Sequence, residues 1–120
     1  MKVTVRITKN FKTEAKPLLK KYPSLSNDLI RLERDLIANP RMGTALGHDA
    51  YKIRLKITSK GKGKSGGARV ISLVDATLIG VAESTEEETT VNLISIYDKA
   101  DTDTISDKEL KDLIKNFRAE

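Results

Sequence analysis

Apolar residues in the first forty positions follow two different periods. Val3, Val5 and Ile7 alternate with polar residues, which predicts a first β-strand. Two apolar stripes, at spacings of four, three and four residues, then predict two amphipathic helices. The stripes are Phe11, Ala15, Leu18 and Tyr22, and then Leu25, Leu29, Leu32 and Leu36. Pro23 and the pair Asn39-Pro40 end these helices, so the two form an antiparallel hairpin.

Proline and small polar residues set the limits of the two helices. Pro17 lies inside the first stripe, so it either marks a first turn that begins near Glu14 or kinks the helix. Ser24 or Ser26 can cap the second helix, and Asp28 is favourable near its positive end.

The second half of the chain predicts three strands. From position 51 to position 57, apolar residues alternate with polar ones, which places four apolar side chains on one sheet face and cations on the other. The cations are Lys52, Arg54 and Lys56. A polar, glycine-rich loop follows at 59–67. The segments ARVISLVDATLIGVA and VNLISIYDK predict two more strands, which a polar turn at 83–89 joins into a hairpin.

A capping motif begins the last predicted element. Ser106-Asp-Lys-Glu109 matches the capping box, with Ile105 and Leu110 placed as a hydrophobic staple. The apolar positions of the helix that follows are Leu110, Leu113, Ile114 and Phe117. The order β-α-α-β-β-β-α, without an internal repeat or a linker, indicates one α+β domain over residues 1–120.

The composition excludes several kinds of site. The 120 residues include no cysteine, which rules out disulfides, Cys-ligated zinc, iron–sulfur clusters and a thiol nucleophile. The single histidine, His48, argues against a His-based metal site; it is either a general base or a solvated loop residue. No apolar run approaches the roughly 20 residues of a membrane span, and the alternating N-terminus is unlike a signal peptide. We therefore expect a cytoplasmic protein that uses no metal or cofactor.

The net charge of +5 hides an asymmetry along the chain. Between positions 50 and 74 there are seven basic residues and no acidic one. They are Lys52, Arg54, Lys56, Lys60, Lys62, Lys64 and Arg69. One concentrated basic segment indicates an oriented contact with a polyanion, the alternative being a solvated basic loop.

The glycine-rich loop GKGKSGG does not match a nucleotide-binding P-loop. Gly63-Lys64-Ser65 would supply its end, but the first glycine would fall at Thr58, and the loop precedes a strand rather than a helix. Two interpretations remain. The loop is either a flexible hairpin tip or a phosphate-contacting loop in which Lys60, Lys62 and Lys64 supply charge.

Adjacent strands would bring one group of charged and polar residues to a single sheet surface. The group consists of Lys52, Arg54, Lys56, Arg69, Tyr97 and Lys99. Such a surface suits a phosphodiester under attack, because fixed cations stabilise the charge that the transition state gains. A desolvated Lys or Tyr among them could also move protons. Arg69 shares the parity of Ile71 and Leu73, so we expect its place at the strand's edge to take it out of the core. The alternative is a nonspecific nucleic-acid-binding face.

At this point the chain resembles a known group, the RelE/ParE toxin superfamily, in its RelE/HigB-like branch. The resemblance rests on NPRMGTALG, on YKIRL followed by SKGKGKSGGARVI, and on LISIYDKADTDTISDKELKDL. It implies a helical hairpin packed on a twisted antiparallel sheet. It also implies the toxin of a type II toxin–antitoxin system, which enters the ribosome and cleaves mRNA without a metal. The attacking 2′-hydroxyl then leaves a 2′,3′-cyclic phosphate and a 5′-hydroxyl.

The resemblance also implies a role for each site residue. Lys52 and Arg54 resemble the family's paired basic residues for proton transfer and charge stabilisation, and Arg69 resembles its phosphate-binding arginine. Lys99 falls near a further basic position, and Tyr97 is a candidate for stacking or proton transfer. The candidate RNA-binding residues are Lys56, Lys60, Lys62 and Lys64. A helix replaces the C-terminal tyrosine of better-studied members, and Arg54, which holds its proton tightly, stands where a second lysine would.

The expected partners are a separate antitoxin chain, the ribosome and mRNA, with no membrane. The toxin would form a homodimer or a heterotetramer with its antitoxin. Two other functions stay open: a noncatalytic protein that binds RNA or only its antitoxin, and a gyrase inhibitor of the ParE type.

Overall fold

The computed structural model describes residues 2–60, 66–79, 86–102 and 104–120. Over these ranges the chain forms three helices and five strands, which confirms the α+β class. In chain order they are β1 (Lys2–Ile7), α1 (Lys9–Lys21), α2 (Leu25–Ala38), β2 (Thr44–Gly47), β3 (Ala50–Leu55), a short 3₁₀ turn (Thr58–Lys60), β4 (Ala68–Ile79), β5 (Glu86–Asp98) and α3 (Asp107–Arg118).

The five strands form one mixed sheet in the order β1-β5-β4-β3-β2. The pairs β2–β3, β3–β4 and β4–β5 are antiparallel, and for the three predicted strands β3, β4 and β5 this is as expected. The expectation of a wholly antiparallel sheet is wrong at β1, which pairs with β5 in parallel. The pairing is parallel because the chain does not turn directly from β1 into β5. The α1–α2 hairpin and strands β2 to β4 lie between them in sequence, and β5 then runs beside β1 in the same direction.

A second difference from the predicted order is the short strand β2. It pairs with β3 through a two-residue turn formed by His48 and Asp49. Both turn residues have positive φ angles, of 57° and 63°, which is the backbone that a tight hairpin turn requires. His and Asp adopt this conformation more readily than most residues. The structure therefore gives His48 a definite place as a hairpin-turn residue.

The two faces of the sheet are covered by different helices. Helices α1 and α2 pack on one face through the apolar stripes predicted for them, against Ile53, Leu55 and Val70 among others. Helix α3 packs on the other face, where Leu110 contacts the second core around Ile71 and Leu73. The sheet is therefore a middle layer between a helical hairpin and a C-terminal helix.

The observed ends of the three helices can be compared with the caps and turns predicted from the sequence. Helix α1 begins at Lys9 and contains Pro17, so a first turn near Glu14 is wrong; Thr8 caps the helix by accepting a hydrogen bond from the Phe11 amide at 3.3 Å. Ser24 occupies the cap position of α2, but its hydroxyl makes no capping hydrogen bond. The capping box at the start of α3 is confirmed, with both of its hydrogen bonds present.

Candidate active site

Three of the predicted site residues lie side by side on adjacent strands. Arg54 of β3 faces Arg69 of β4, and Arg69 faces Tyr97 of β5. Facing residues in an antiparallel pair have Cβ atoms about 5 Å apart. Lys52 lies two residues before Arg54 and so shares its face of the sheet. We call these four residues the cationic row. It lies at one end of the sheet face that α3 covers.

Arg69 is the innermost member of the cationic row. Only 2% of its surface is exposed, so the expectation that the strand's edge would take it out of the core is wrong. Backbone carbonyls make this burial possible: its guanidinium donates hydrogen bonds to the oxygens of Gly66 at 2.7 Å and Ala68 at 3.2 Å. A buried guanidinium held in this way is a fixed positive charge beneath the surface of the row.

The outer part of the row is accessible. Arg54 and Lys56 are exposed on β3 and just after it, and Lys52 is half-buried. Lys99 follows β5, and its amide donates a hydrogen bond to the carbonyl of Gly67 at 3.2 Å. A β-carbon added at Gly66 would lie 3.7 Å from the Lys99 side chain, which places Lys99 beside the segment that leads into Arg69. Lys99 therefore lies beside Gly66 and Gly67, the two residues that precede β4.

Lys60 lies apart from the cationic row. Its ammonium donates hydrogen bonds to Asp98 at 2.6 Å and to the carbonyl of Gly67 at 3.1 Å, and only 14% of its side chain is exposed. It also lies 5.3 Å from the ring centre of Tyr22, on the α1–α2 side of the sheet. Lys60 thus anchors the base of the glycine-rich loop. The predicted RNA-binding residues Lys62 and Lys64 lie outside the described residues.

Asp98 is the centre of this anchor. Its carboxylate accepts hydrogen bonds from the Tyr22 hydroxyl at 2.5 Å, from Lys60 and from the Ala100 amide at 2.9 Å. Burial raises the pKa of Asp98, but the hydrogen bonds from Lys60, Tyr22 and Ala100 outweigh it and lower this pKa to about 2. The group therefore remains ionised at any physiological pH, and it ties α1, the 3₁₀ turn and β5 together.

A second buried carboxylate holds the 3₁₀ turn against α2. Asp28 accepts hydrogen bonds from the Thr58 amide at 3.1 Å, from the Thr58 hydroxyl at 2.8 Å and from the Ser24 hydroxyl at 2.7 Å. Arg31 donates to the same carboxylate. Burial opposes ionisation, yet these donors, Ser24 first, hold the pKa of Asp28 below its usual value. The residues before the glycine-rich loop are therefore fixed at two points.

Sequence analysis did not identify Tyr22, Asp28 and Asp98 as an anchor. Tyr22 was predicted as a core residue and Asp28 as a helix-terminus charge, and both do lie there. Their polar contacts join residues 30 to 76 positions apart, and no local pattern encodes such pairs. The only local signal was the position of Asp98, a carboxylate directly after the strongly apolar run of β5.

The described residues contain no group of three or more His, Cys, Asp or Glu side chains that could hold a metal ion. His48 lies 3.8 Å from Asp107 in an exposed position, away from the cationic row. It is the first of the two residues in the turn between β2 and β3.

Comparison with known proteins identifies no family. No protein-family model matches the chain, and no curated protein is similar enough to count as a relative. Within the part of the chain that the structure describes, no helix combines the length and the apolar composition needed to cross a bilayer. The functional conclusion therefore depends on the geometry of the site and on the resemblance seen in the sequence.

Proposed function

We propose that this chain is a RelE-like toxin of a type II toxin–antitoxin system, an endoribonuclease that cleaves mRNA on the ribosome without a metal. The observation that supports the proposal most strongly is the cross-strand position of Arg54 beside Arg69, with Lys52 and Tyr97 on the same face. An anion bound at the exposed Arg54, above the buried charge of Arg69, would stabilise a pair of facing arginines that their like charges otherwise disfavour.

The proposed reaction is an internal transfer at one phosphodiester. The 2′-hydroxyl loses its proton as its oxygen bonds to the adjacent phosphorus, and the bond from phosphorus to the 5′-oxygen breaks. A proton delivered to that 5′-oxygen completes the step, so the products are a 2′,3′-cyclic phosphate and a 5′-hydroxyl. Lys52 and Tyr97 would move the protons. Arg54 and the buried Arg69 would stabilise the negative charge of the pentacoordinate transition state.

The test is induction of the chain in a host without an antitoxin, followed by mapping of mRNA 5′ ends. We expect growth arrest and new 5′ ends within translated frames. Arg54→Ala should lower cleavage at least about tenfold, whereas Arg34→Ala, which removes another exposed arginine, on α2, should leave cleavage unchanged. Arrest without mRNA cuts would refute the ribonuclease and favour gyrase, and absence of arrest would favour a noncatalytic binding protein.

A groove on the opposite side of the molecule supports the proposed antitoxin partner. Ile7, Leu19 and Ile30 are large apolar residues with 42–52% of their surface exposed. Ile7 and Leu19 line two cavities of about 400 and 300 Å³ between α1, α2 and β1, and Ile30 lines the smaller one. Lysines 9, 12 and 16 line the α1 side. This combination fits an amphipathic segment that carries acidic side chains.

The antitoxin segment would bind at this groove. Ile30→Glu should therefore abolish rescue of growth by a co-expressed antitoxin and leave toxicity intact. Asp35→Asn, at an exposed position of the same helix, is the matched control and should leave rescue unchanged. Full rescue of Ile30→Glu would place the antitoxin elsewhere.

A further inference from the structure

A cleft of about 330 Å³ adjoins the cationic row and has no role in the proposed cleavage step. It is lined by α1, the end of β5, the segment after β5 and α3. Tyr97 lines the cleft and is also a member of the row, so the two sites meet at that residue. The volume is at the lower end of the range for small-molecule sites, about 300–1,000 Å³, which suits a single planar ring system.

The cleft exists because β1 ends before β5 does. The register of β1 stops at the pair Ile7 and Leu93, so the last residues of β5 have no strand on that side. Helix α1 covers part of this edge: the Asn10 amide donates to the carbonyl of Ile94 at 2.9 Å. A bulge at Ile94 shifts the register of β5, and the Ser95 hydroxyl donates to Glu14 of α1 at 2.8 Å. The remaining space, up to α3, is the cleft.

Its lining combines an apolar surface with hydrogen-bond acceptors. Ile105, Leu113 and the Tyr97 ring contribute the apolar part and belong to the second core. Glu14, Glu109 and Asp112 contribute carboxylates. None of the described lining residues is Lys or Arg, in contrast to the neighbouring row. The cleft thus suits a flat ligand that donates hydrogen bonds, and it would repel a phosphate.

We propose that this cleft binds the nucleobase next to the scissile phosphate and prefers guanine. This inference rests on the proposed function, because the row would hold the phosphate of the same nucleotide. Guanine presents two neighbouring donors, N1–H and N2–H₂, to the two oxygens of a carboxylate. Adenine and cytosine present one amino group each, and uracil and thymine present only a ring N–H. Glu14, held by Ser95 and Asn10, and Asp112 are the specificity residues.

Binding can be measured without cleavage. Deoxydinucleotides lack the attacking 2′-hydroxyl, so d(GpG), d(ApA), d(CpC) and d(TpT) can be titrated into the full chain while NMR signals of Thr104, Leu113 and Asn116 are followed. We expect d(GpG) to bind about tenfold more tightly than d(TpT), since one good bidentate contact gives about that discrimination. The shifts should centre on those three residues.

The variant Glu14→Gln/Asp112→Asn removes both charges, and the Gln oxygen can still accept the hydrogen bonds from Asn10 and Ser95. It should reduce the guanine preference to within about twofold, while Asp35→Asn on α2 retains it. Lys52→Ala should weaken all four dinucleotides equally, because it acts on the shared phosphate. Equal affinity of the wild-type chain for d(GpG) and d(TpT), or shifts confined to β3, would overturn the proposal.

The outcomes separate this inference from the proposed function. A guanine preference in the titration without mRNA cuts in the cell would refute the ribonuclease and retain the base site. Cuts in the cell with no base preference in the titration would refute the base site and retain the ribonuclease.

Discussion

Replacement of Asp98 by Asn tests the anchor that Asp98 forms with Tyr22 and Lys60. Asn has the shape of the carboxyl group and lacks its charge, so it resembles the protonated side chain. Asp98 is 2% exposed, and its pKa falls from 3.8 to about 2 on folding. That difference corresponds to about 2 kcal/mol of folding free energy at neutral pH. We therefore expect Asp98→Asn to lower the free energy of unfolding by about 2 kcal/mol at pH 7.

The effect should depend on pH in a defined direction. Because the pKa is lower in the folded chain, the unfolded chain binds more protons between the two pKa values, and stability rises with pH in that interval. The contribution of Asp98 is complete above about pH 5 and is lost as the pH falls towards 2. At pH 3 the difference between wild type and Asp98→Asn should be about 1 kcal/mol, roughly half its value at pH 7.

Urea unfolding of both chains at pH 7, 4 and 3 measures this difference. Other carboxylates with lowered pKa values, such as Asp28 and Asp75, are present in both chains and cancel in the comparison. Asp35→Asn, at an exposed position, should show almost no difference at any pH. A gap between wild type and Asp98→Asn that stays constant from pH 7 to pH 3 would refute the assignment of the lowered pKa to this carboxylate.

Three further substitutions test the packing, each by chemical or thermal unfolding. Asp28→Ala should cost about 3 kcal/mol because it leaves buried donors unpaired, whereas Arg31→Ala, at an exposed partner, should cost less than about 1. If both substitutions lowered the free energy of unfolding equally, burial of Asp28 would not determine the cost of its removal. Gly67→Ala should destabilise the fold strongly, since its β-carbon would lie 2.2 Å from a backbone oxygen of β3; at Gly47, which has a positive φ and open space, the cost should be only about 1–2 kcal/mol. Leu110→Ala should cost about 2–5 kcal/mol, and a loss under 1 would mean that α3 is not part of the core.

The periodic elements could be predicted from sequence because their signals are local. The stripes of α1 and α2 each lie within about three turns of helix, the capping box of α3 lies within its first turn, and the structure contains all three. Strand β2 was missed because Thr44–Gly47 is short and lacks alternation. Its turn uses His48 and Asp49 with positive φ angles, in place of the Asn-Gly or Asp-Gly pairs that mark such hairpins.

The candidate site could be predicted only in part. Strand parity placed Lys52 and Arg54 on one face, and the register of β4 and β5 then placed Arg69 and Tyr97 beside them. The burial of Arg69 was not predicted, because parity with Ile71 and Leu73 indicated a buried position that its charge argued against. The backbone carbonyls that resolve this conflict come from the chain's own turn into β4. Lys60 was assigned to RNA because its partner, Asp98, is distant in sequence.

The parallel pairing of β1 with β5 has a consequence for how the chain folds. Val5 pairs with Val91, so β1 cannot join the sheet until β5, the last strand in chain order, has formed. Contacts of such long sequence separation slow folding, because a large loop must close before they form. During synthesis, the α1–α2 hairpin can form early, but the strand beneath it emerges only near the end. We therefore expect the nascent chain to expose the apolar side of this hairpin until β5 is synthesised. Incomplete chains should consequently be prone to aggregation.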